Sequence, residues 1–136
     1  MAKFVGKNVD RLDGVEKVTG TGTFSSDMTA PGMLYGKILR SPHPHAKVLK
    51  VDVSEAEKLP GVKAVIHRGN VPKTYYNSAA PMYTTVPYLK PVLDQQIFPE
   101  KLRFVGDEVA AVAATSEKIA VEALKRIKVD YEVLPA

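Results

Sequence analysis

The sequence predicts an α+β domain with one mixed sheet, two short-to-medium helices and a long irregular loop. Residues 109–114 contain no polar side chain, which is typical of a strand covered on both faces. Residues 116–126 place apolar side chains along one helical face, as a helix packed on a sheet does. Residues 68–96 carry four prolines and no regular hydrophobic pattern, and this composition predicts a loop between two packed segments.

The start of the chain differs in composition from the rest. Four glycines occur there among few apolar residues, at positions 6, 14, 20 and 22. This pattern favours irregular or extended backbone. We therefore expect an extended N-terminal arm over residues 1–30 and a single domain over residues 31–136.

The segment before the loop is predicted to contain three strands and one short helix. Strands are expected over residues 33–39, 47–53 and 62–66, the second because apolar and polar side chains alternate in it. Ser54 is a favourable helix N-cap, and Glu57 three residues later would complete a capping box. The helix is predicted to be short, because a Leu-Pro-Gly sequence follows it.

The segment after the loop is predicted to contain strands over residues 102–105, 109–114 and 128–133. A helix is expected between the last two strands, opening at Thr115-Ser116 and extending over about residues 116–126. Its spacing puts four apolar side chains on one face, those of Ile119, Ala123, Leu124 and Ile127. We therefore expect this helix to pack on the sheet and to have no catalytic role.

Composition and charge exclude several functions. A chain of 136 residues has room for one ordinary domain. The absence of cysteine excludes disulfides and thiolate-held metal or iron–sulfur sites in this chain. No apolar run approaches the roughly 20 residues of a membrane span, and no signal peptide is evident. We expect a cytoplasmic protein without a membrane partner.

The net charge of +4 raises the question of nucleic-acid binding. Lysines and arginines are scattered along the chain, and many lie close to acidic residues. The densest basic group is Lys125, Arg126 and Lys128, at the end of the predicted last helix, where cations complement the helix dipole. No basic run alternates with aromatic residues. The sequence therefore argues against a nucleic-acid partner.

Candidate catalytic and metal-binding residues are few. His43 and His45 flank a proline, but a metal site would need further ligands and the only other histidine is His67. Asp107 and Glu108 are adjacent where a strand begins, so their side chains should point to opposite faces rather than share a proton. We predict turn or packing roles for these residues and no catalytic, cofactor-binding or metal-binding residue in the chain.

Four tyrosines in the loop are the candidate binding residues: Tyr75, Tyr76, Tyr83 and Tyr88. Exposed tyrosines are frequent interface anchors, because each offers a large rigid face and a polar tip. The alternative is that some of them cover the core of the domain itself. The sequence leaves both roles open.

Five sequence strings in a fixed order resemble the xanthine dehydrogenase and aldehyde oxidase family of molybdenum hydroxylases. The resemblance is to the N-terminal α/β-hammerhead domain of the large molybdenum-binding subunit. The strings are RLDGVEKVTG at 11–20, PGMLYGKILRSPHPHA at 31–46, LPGVKAV at 59–65, FVGDEVAAVAA at 104–114 and IKVDYEVLP at 127–135. They cover nearly the whole chain, so the resemblance implies a hammerhead fold.

The resemblance also implies an activity for the complete enzyme. That enzyme would hydroxylate a heterocycle or an aldehyde, or would act as a 4-hydroxybenzoyl-CoA reductase does, with molybdopterin, iron–sulfur clusters and FAD. The pterin-binding loops and the catalytic glutamate of the family lie beyond the hammerhead. The resemblance therefore implies that this chain binds no cofactor alone, is inactive alone, and is either a fragment of a longer subunit or a short separate one.

The implied partners are the pterin-binding remainder of the molybdenum subunit and the iron–sulfur and FAD subunits or domains. In isolation the chain is expected to self-associate, because surface that these partners cover would be exposed. The tyrosine loop would lie beside the funnel that leads substrate to molybdenum. Two alternatives remain: a stand-alone module with the same fold that binds a protein or small ligand, and a small hydrolase or metal-binding protein that uses His43 and His45.

Overall fold

The computed structural model describes residues 5–77 and 93–135, and its contacts divide the chain into two units, Met1–Met33 and Leu34–Ala136. The first unit contains helix α1, Gly14–Thr19, and a 3₁₀ helix, Ser25–Asp27. Helix α1 differs from the extended backbone expected there. It buries none of its residues, and polar contacts hold it instead: Lys17 Nζ lies 2.5 Å from Asp13 Oδ2, and Thr19 Oγ1 donates to the Val15 carbonyl at 2.7 Å.

The described residues of the second unit form six strands in two three-stranded sheets. The strands are β1 Tyr35–Arg40, β2 Ala46–Asp52, β3 Val62–His67, β4 Lys101–Leu102, β5 Glu108–Ala114 and β6 Lys128–Val133. The strand order is β1-β5-β3 in the first sheet and β4-β2-β6 in the second. Helix α2, Ser54–Glu57, follows β2, and helix α3, Glu117–Arg126, connects β5 to β6.

The α+β class is confirmed, but the expectation of one mixed sheet is wrong. Every strand pair that the described residues form is antiparallel. Strands β1 and β3 run parallel to each other, yet they do not pair because β5 lies between them. A hydrophobic pattern reports which strands are buried and leaves their pairing undetermined, so the sequence could not separate the two arrangements.

Strand β5, which was predicted to be covered on both faces, is buried on one face and partly buried on the other. On one face Ala110, Val112 and Ala114 pack with Ala120 and Ala123 of α3 in a first core cluster. On the other face Val109 packs in a second cluster with residues of β2 and β4. The small side chains let α3 lie close to the sheet, so this strand joins the two cores of the unit.

The two helix starts have different outcomes. Helix α3 begins at Glu117, close to its predicted start, and Ser116 caps it, because Ser116 Oγ accepts the Ile119 N–H at 3.3 Å. The predicted capping box at Ser54 is wrong, because Ser54 is the first residue of α2 and Val53 stands at the N-cap position. Ser54 donates both its backbone N–H, at 3.0 Å, and its hydroxyl, at 2.7 Å, to Oδ1 of Asp52. Both bonds lower the pKa of the Asp52 carboxyl, and the bond from the Ser54 hydroxyl has the larger effect.

The predicted strand over residues 102–105 is also wrong. Strand β4 ends at Leu102, and Phe104 and Val105 are 58% and 63% exposed in the turn that follows. Gly106 has φ +98°, a conformation that favours glycine and reverses the chain. The buried carboxylate of Asp107 closes the turn, since it accepts the Arg103 N–H at 3.0 Å.

The remaining predicted strand limits differ from the observed ones by at most two residues, and β6 matches its prediction. Among residues 5–77 and 93–135, no helix has the length and hydrophobicity that crossing a bilayer requires. The division into an arm of residues 1–30 and a domain of residues 31–136 stays a prediction.

Candidate functional site

The described part of the tyrosine loop is closed by a short backbone pairing. Tyr76 N–H donates to the Gln95 carbonyl at 2.9 Å, and Gln95 N–H donates to the Tyr76 carbonyl at 2.9 Å. Tyr75 and Tyr76 therefore lie at a fixed stem on the second unit. The predicted residues Tyr83 and Tyr88 lie outside the described residues.

The carboxylate of Asp94 makes further bonds at this stem, to Asn77 and to Arg103. Its Oδ1 accepts Asn77 Nδ2 at 3.2 Å, and its Oδ2 lies 3.4 Å from Arg103 Nη1. The same arginine nitrogen donates to the Asp94 carbonyl at 3.3 Å. Because Arg103 follows β4 directly, these bonds tie the loop stem to the second sheet.

Two adjoining cavities, of about 270 and 340 Å³, lie at this stem. Tyr76 and Phe104 line the smaller one, and Tyr75 lines the larger one. The residues that line both are Asp94, Gln96, Pro99, Lys101 and Arg103. We call this concave surface the tyrosine cleft, and it is the candidate site.

The tyrosine cleft has the chemistry of a binding surface. Tyr75 is 57% exposed and Tyr76 is 40% exposed, and neither belongs to a core cluster. Lys101 and Arg103 supply positive charge to the wall between the cavities, and aromatic faces supply apolar contact area. Its described lining contains no histidine, serine, threonine or cysteine, so it lacks the hydroxyl or thiol and imidazole of a Ser-His or Cys-His catalytic pair.

The histidines that flank Pro44 pack at two different places. The His43 ring meets the Tyr131 ring edge-on, with 5.0 Å between the ring centroids. Burial raises the pKa of Tyr131. The His45 ring contacts the Pro135 carbonyl through Nδ1. Each ring has its own packing partner, in agreement with the predicted turn and packing roles.

The described residues do not fit a resident metal or cluster. Within residues 5–77 and 93–135, no three His, Asp or Glu side chains are grouped so that they could hold a metal ion. The sequence contains no cysteine to ligate an iron–sulfur cluster. The described residues thus offer no ligand set for the molybdenum or iron–sulfur groups that the resemblance implies.

The two adjacent carboxylates have separate roles, as predicted. Asp107 is 8% exposed, and its Oδ1 accepts the Glu108 N–H at 3.0 Å in addition to the bond that Oδ2 accepts from Arg103. Glu108 Oε1 lies 3.4 Å from Arg40 Nη1 at the surface. Sequence reasoning missed the buried role of Asp107. Its position in a Gly-Asp turn before a buried strand was the available signal.

Sequence reasoning also missed a second concave surface, which we call the basic groove. It has a volume of about 450 Å³ and lies between β2 and the turn after β3. Its charged and titratable lining residues are Lys47, Lys50, His67, Arg68, Lys73 and Glu100. These residues come from distant parts of the chain, so no local run of basic residues in the sequence predicts the groove.

Comparison with known proteins identifies a matching family and similar relatives. The model of the family described as aldehyde oxidase and xanthine dehydrogenase, a/b hammerhead domain, matches residues 19–135. A probable hypoxanthine oxidase of Escherichia coli O157:H7 is 45% identical over 130 residues, which cover 96% of this chain and 13% of that protein. The large molybdopterin subunit of nicotinate dehydrogenase from Eubacterium barkeri is 35% identical over 130 residues, covering 96% of this chain and 28% of that subunit.

A solved structure agrees with these relatives. The aldehyde oxidoreductase from Desulfovibrio desulfuricans has a TM-score of 0.81 and 32% identity, covering 96% of this chain and 15% of that one. The chain thus spans less than a third of the length of each of these proteins. It belongs to the aldehyde oxidase and xanthine dehydrogenase family, and the match falls on the a/b hammerhead domain of that family.

Proposed function

We propose that this chain is the hammerhead domain of the molybdopterin-binding subunit of a xanthine dehydrogenase or aldehyde oxidase-like oxidoreductase, and that its role is structural. The observation that carries the proposal is the family match over residues 19–135. The domain assembles with the pterin-binding remainder of the subunit and with iron–sulfur and FAD subunits or domains. The complete enzyme hydroxylates a heterocycle or an aldehyde, or acts as a 4-hydroxybenzoyl-CoA reductase does.

The proposal includes that the domain has no activity alone. Among the described residues the buried polar side chains are those of Ser41 and Asp107, and both make internal bonds that hold turns in place: Asp107 closes the turn before β5, and Ser41 Oγ donates to the His43 carbonyl at 3.0 Å. Such bonds stabilise the fold, which fits a structural role. We place the assembled enzyme in the cytoplasm, in keeping with a sequence that lacks cysteine.

We further propose that the tyrosine cleft faces the route by which substrate reaches the molybdenum, or the surface of a neighbouring domain. Tyr75 and Tyr76 support this, because they present aromatic surface on a stem that hydrogen bonds fix in place. Tyr83 and Tyr88 belong to the same proposal on sequence grounds alone. A fixed stem orients aromatic anchors at little entropic cost when a partner binds.

An affinity pull-down of the chain from its native cell extract tests the assembly. Mass spectrometry identifies the captured proteins, and elemental analysis measures bound molybdenum. Capture of a large pterin-binding chain together with molybdenum, iron–sulfur and FAD components is the expected result. Recovery of the chain alone, soluble and free of molybdenum, would contradict the proposal and favour a stand-alone binding module.

A further inference from the structure

We infer that the basic groove binds an acidic segment of a protein partner. The groove lies on the second unit, between strand β2 and the turn that follows β3. It adjoins the tyrosine cleft, since Lys47, Arg68 and Glu100 line both surfaces. We take the partner to be another domain or subunit of the oxidoreductase, and only this identification rests on the proposed function.

The cations of the groove are held in place by one carboxylate. Glu100 Oε2 lies 2.6 Å from Arg68 Nη2, and Glu100 Oε1 lies 3.2 Å from Lys47 Nζ. The bond from Lys47 and the charges of Arg68 and Lys73 lower the pKa of Glu100. Because Glu100 orders two of the cations before any ligand arrives, a bound anion meets charges that are already positioned.

The groove has an excess of positive charge. Four basic residues, Lys47, Lys50, Arg68 and Lys73, line it together with one carboxylate, that of Glu100, which gives a formal sum of +3. Four of the 19 basic residues of the chain, from separate parts of the sequence, therefore lie on one surface. Such a concentration of one sign attracts a partner of the opposite sign and guides its approach.

The lining of the groove selects among anionic ligands. Its described residues include no phenylalanine, tyrosine or tryptophan, so the groove itself lacks the row of aromatic faces on which successive bases of a single strand stack. Its one glycine amide, that of Gly69, already donates to His67 Nδ1 at 3.2 Å. A phosphate cradle built from free backbone N–H groups is therefore not formed at that position.

The remaining features fit carboxylate side chains on a protein surface. Lys50 and Lys73 are exposed, and among the described residues neither has a carboxylate within salt-bridge distance, although the charge of Lys50 acts on Asp52 and that of Lys73 on Glu100. The groove is open and mainly polar, whereas sites for small molecules are mostly apolar and enclose their ligand. An open surface lined by lysines is typical of electrostatic contact between proteins, in which charge sets orientation and association rate.

The test uses a fluorescein-labelled hexaglutamate peptide and the 136-residue chain, with binding followed by fluorescence anisotropy. The groove variant is Lys50→Gln with Lys73→Gln, which leaves the Glu100 contacts intact. The control variant is Lys125→Gln with Lys128→Gln, which removes the same charge from the densest basic group in the sequence. We expect the groove variant to bind about tenfold more weakly and the control variant to change by less than about twofold.

Three results would overturn the inference: no binding of hexaglutamate, equal loss in the two variants, or tighter groove-dependent binding of pyrophosphate or of a single-stranded oligonucleotide. Binding should also weaken with salt, because the Debye length falls from about 30 Å at 0.01 M to about 3 Å at 1 M. Binding that is insensitive to salt would likewise contradict it. Thermal unfolding of each variant, measured beforehand, excludes loss of fold as the cause.

The pull-down separates this inference from the proposed function. If the original chain captures a pterin-binding partner and the groove variant captures it equally well at low salt, the proposed function stands and the inference fails. If hexaglutamate binds the groove but no pterin-binding partner is captured, the inference stands for a different protein and the proposed function fails.

Discussion

Gly61 occupies the position where a single methyl group should cost the most. Its φ is +95°, and a Cβ added there would lie 2.7 Å from Ile119 Cδ1 and 2.8 Å from Thr115 Oγ1. The left-handed backbone costs an alanine about 1–2 kcal/mol. The contacts add roughly 1–2 kcal/mol, since Thr115 is exposed and can rotate while Ile119 packs on the first core cluster. We expect Gly61→Ala to lower the free energy of unfolding by about 2–4 kcal/mol.

Two other glycines provide matched controls for this substitution. Gly106 also has a positive φ, +98°, but a Cβ there would meet no atom within 4 Å. Gly36, in β1, has open space and no positive φ. Urea unfolding followed by circular dichroism should therefore rank the losses as Gly61→Ala, then Gly106→Ala at about 1–2 kcal/mol, then Gly36→Ala close to zero. If Gly61→Ala cost no more than Gly106→Ala, the packing of α3 against this turn would be refuted.

The other predictions concern the turn before β5, the tyrosine cleft and the exposed sheet. Asp107→Ala leaves two buried-turn N–H groups without their acceptor and should cost about 2–4 kcal/mol in urea unfolding; a loss below about 1 kcal/mol would contradict the assigned bonds. In a reconstituted enzyme, Tyr75→Ala should change the apparent substrate KM or the yield of assembled complex, and Tyr35→Ala, at 42% exposure in β1, should change neither; equal effects would count against the cleft. In the isolated chain, Ile38→Thr with Ile66→Thr, which removes apolar surface that is 43% and 42% exposed, should reduce self-association in analytical ultracentrifugation; sedimentation unchanged from the original chain would show that this face is not the contact.

The elements that follow the loop could be predicted closely from the sequence. Strand β6 occupies the predicted residues, and α3 begins at Glu117, within the predicted helix region. The helix follows from a local signal, namely an apolar period matched to a helix. The apolar run in β5 likewise predicted a strand that is buried on one face and partly buried on the other.

Features that depend on polar contacts or on distant neighbours could not be predicted. Helix α1 is held by surface bonds such as that of Thr19 and buries no apolar stripe, so no period marks it. The capping box at Ser54 is absent because the helix begins one residue earlier than predicted, with Val53 at the N-cap position. The pairing of strands and the gathering of cations around Glu100 arise only when separate segments fold together.

Loop composition gave partial information about the candidate site. Proline content predicted an irregular segment, and its tyrosines could be exposed anchors or cover the core; Tyr75 and Tyr76 are 57% and 40% exposed. The neighbours of these tyrosines in the cleft, Lys101 and Arg103, follow the loop in the chain and are brought near it by β4 and by the Asp94 bonds. The loop sequence alone therefore could not predict that Lys101 and Arg103 would lie beside Tyr75 and Tyr76, because the tertiary structure brings them together.

The central place of β5 also determines the order in which the first sheet can form during synthesis. Strands β1 and β3 are both translated before it, and their only partner in that sheet arrives later: Tyr35 pairs with Ala114, and Val62 pairs with the same residue. Until β5 leaves the ribosome, β1 and β3 have apolar side chains and backbone groups without a strand partner in this sheet. Nascent chains in this state are prone to aggregate and are substrates for chaperones. We therefore expect nascent chains stalled before residue 108 to be the species most dependent on chaperones.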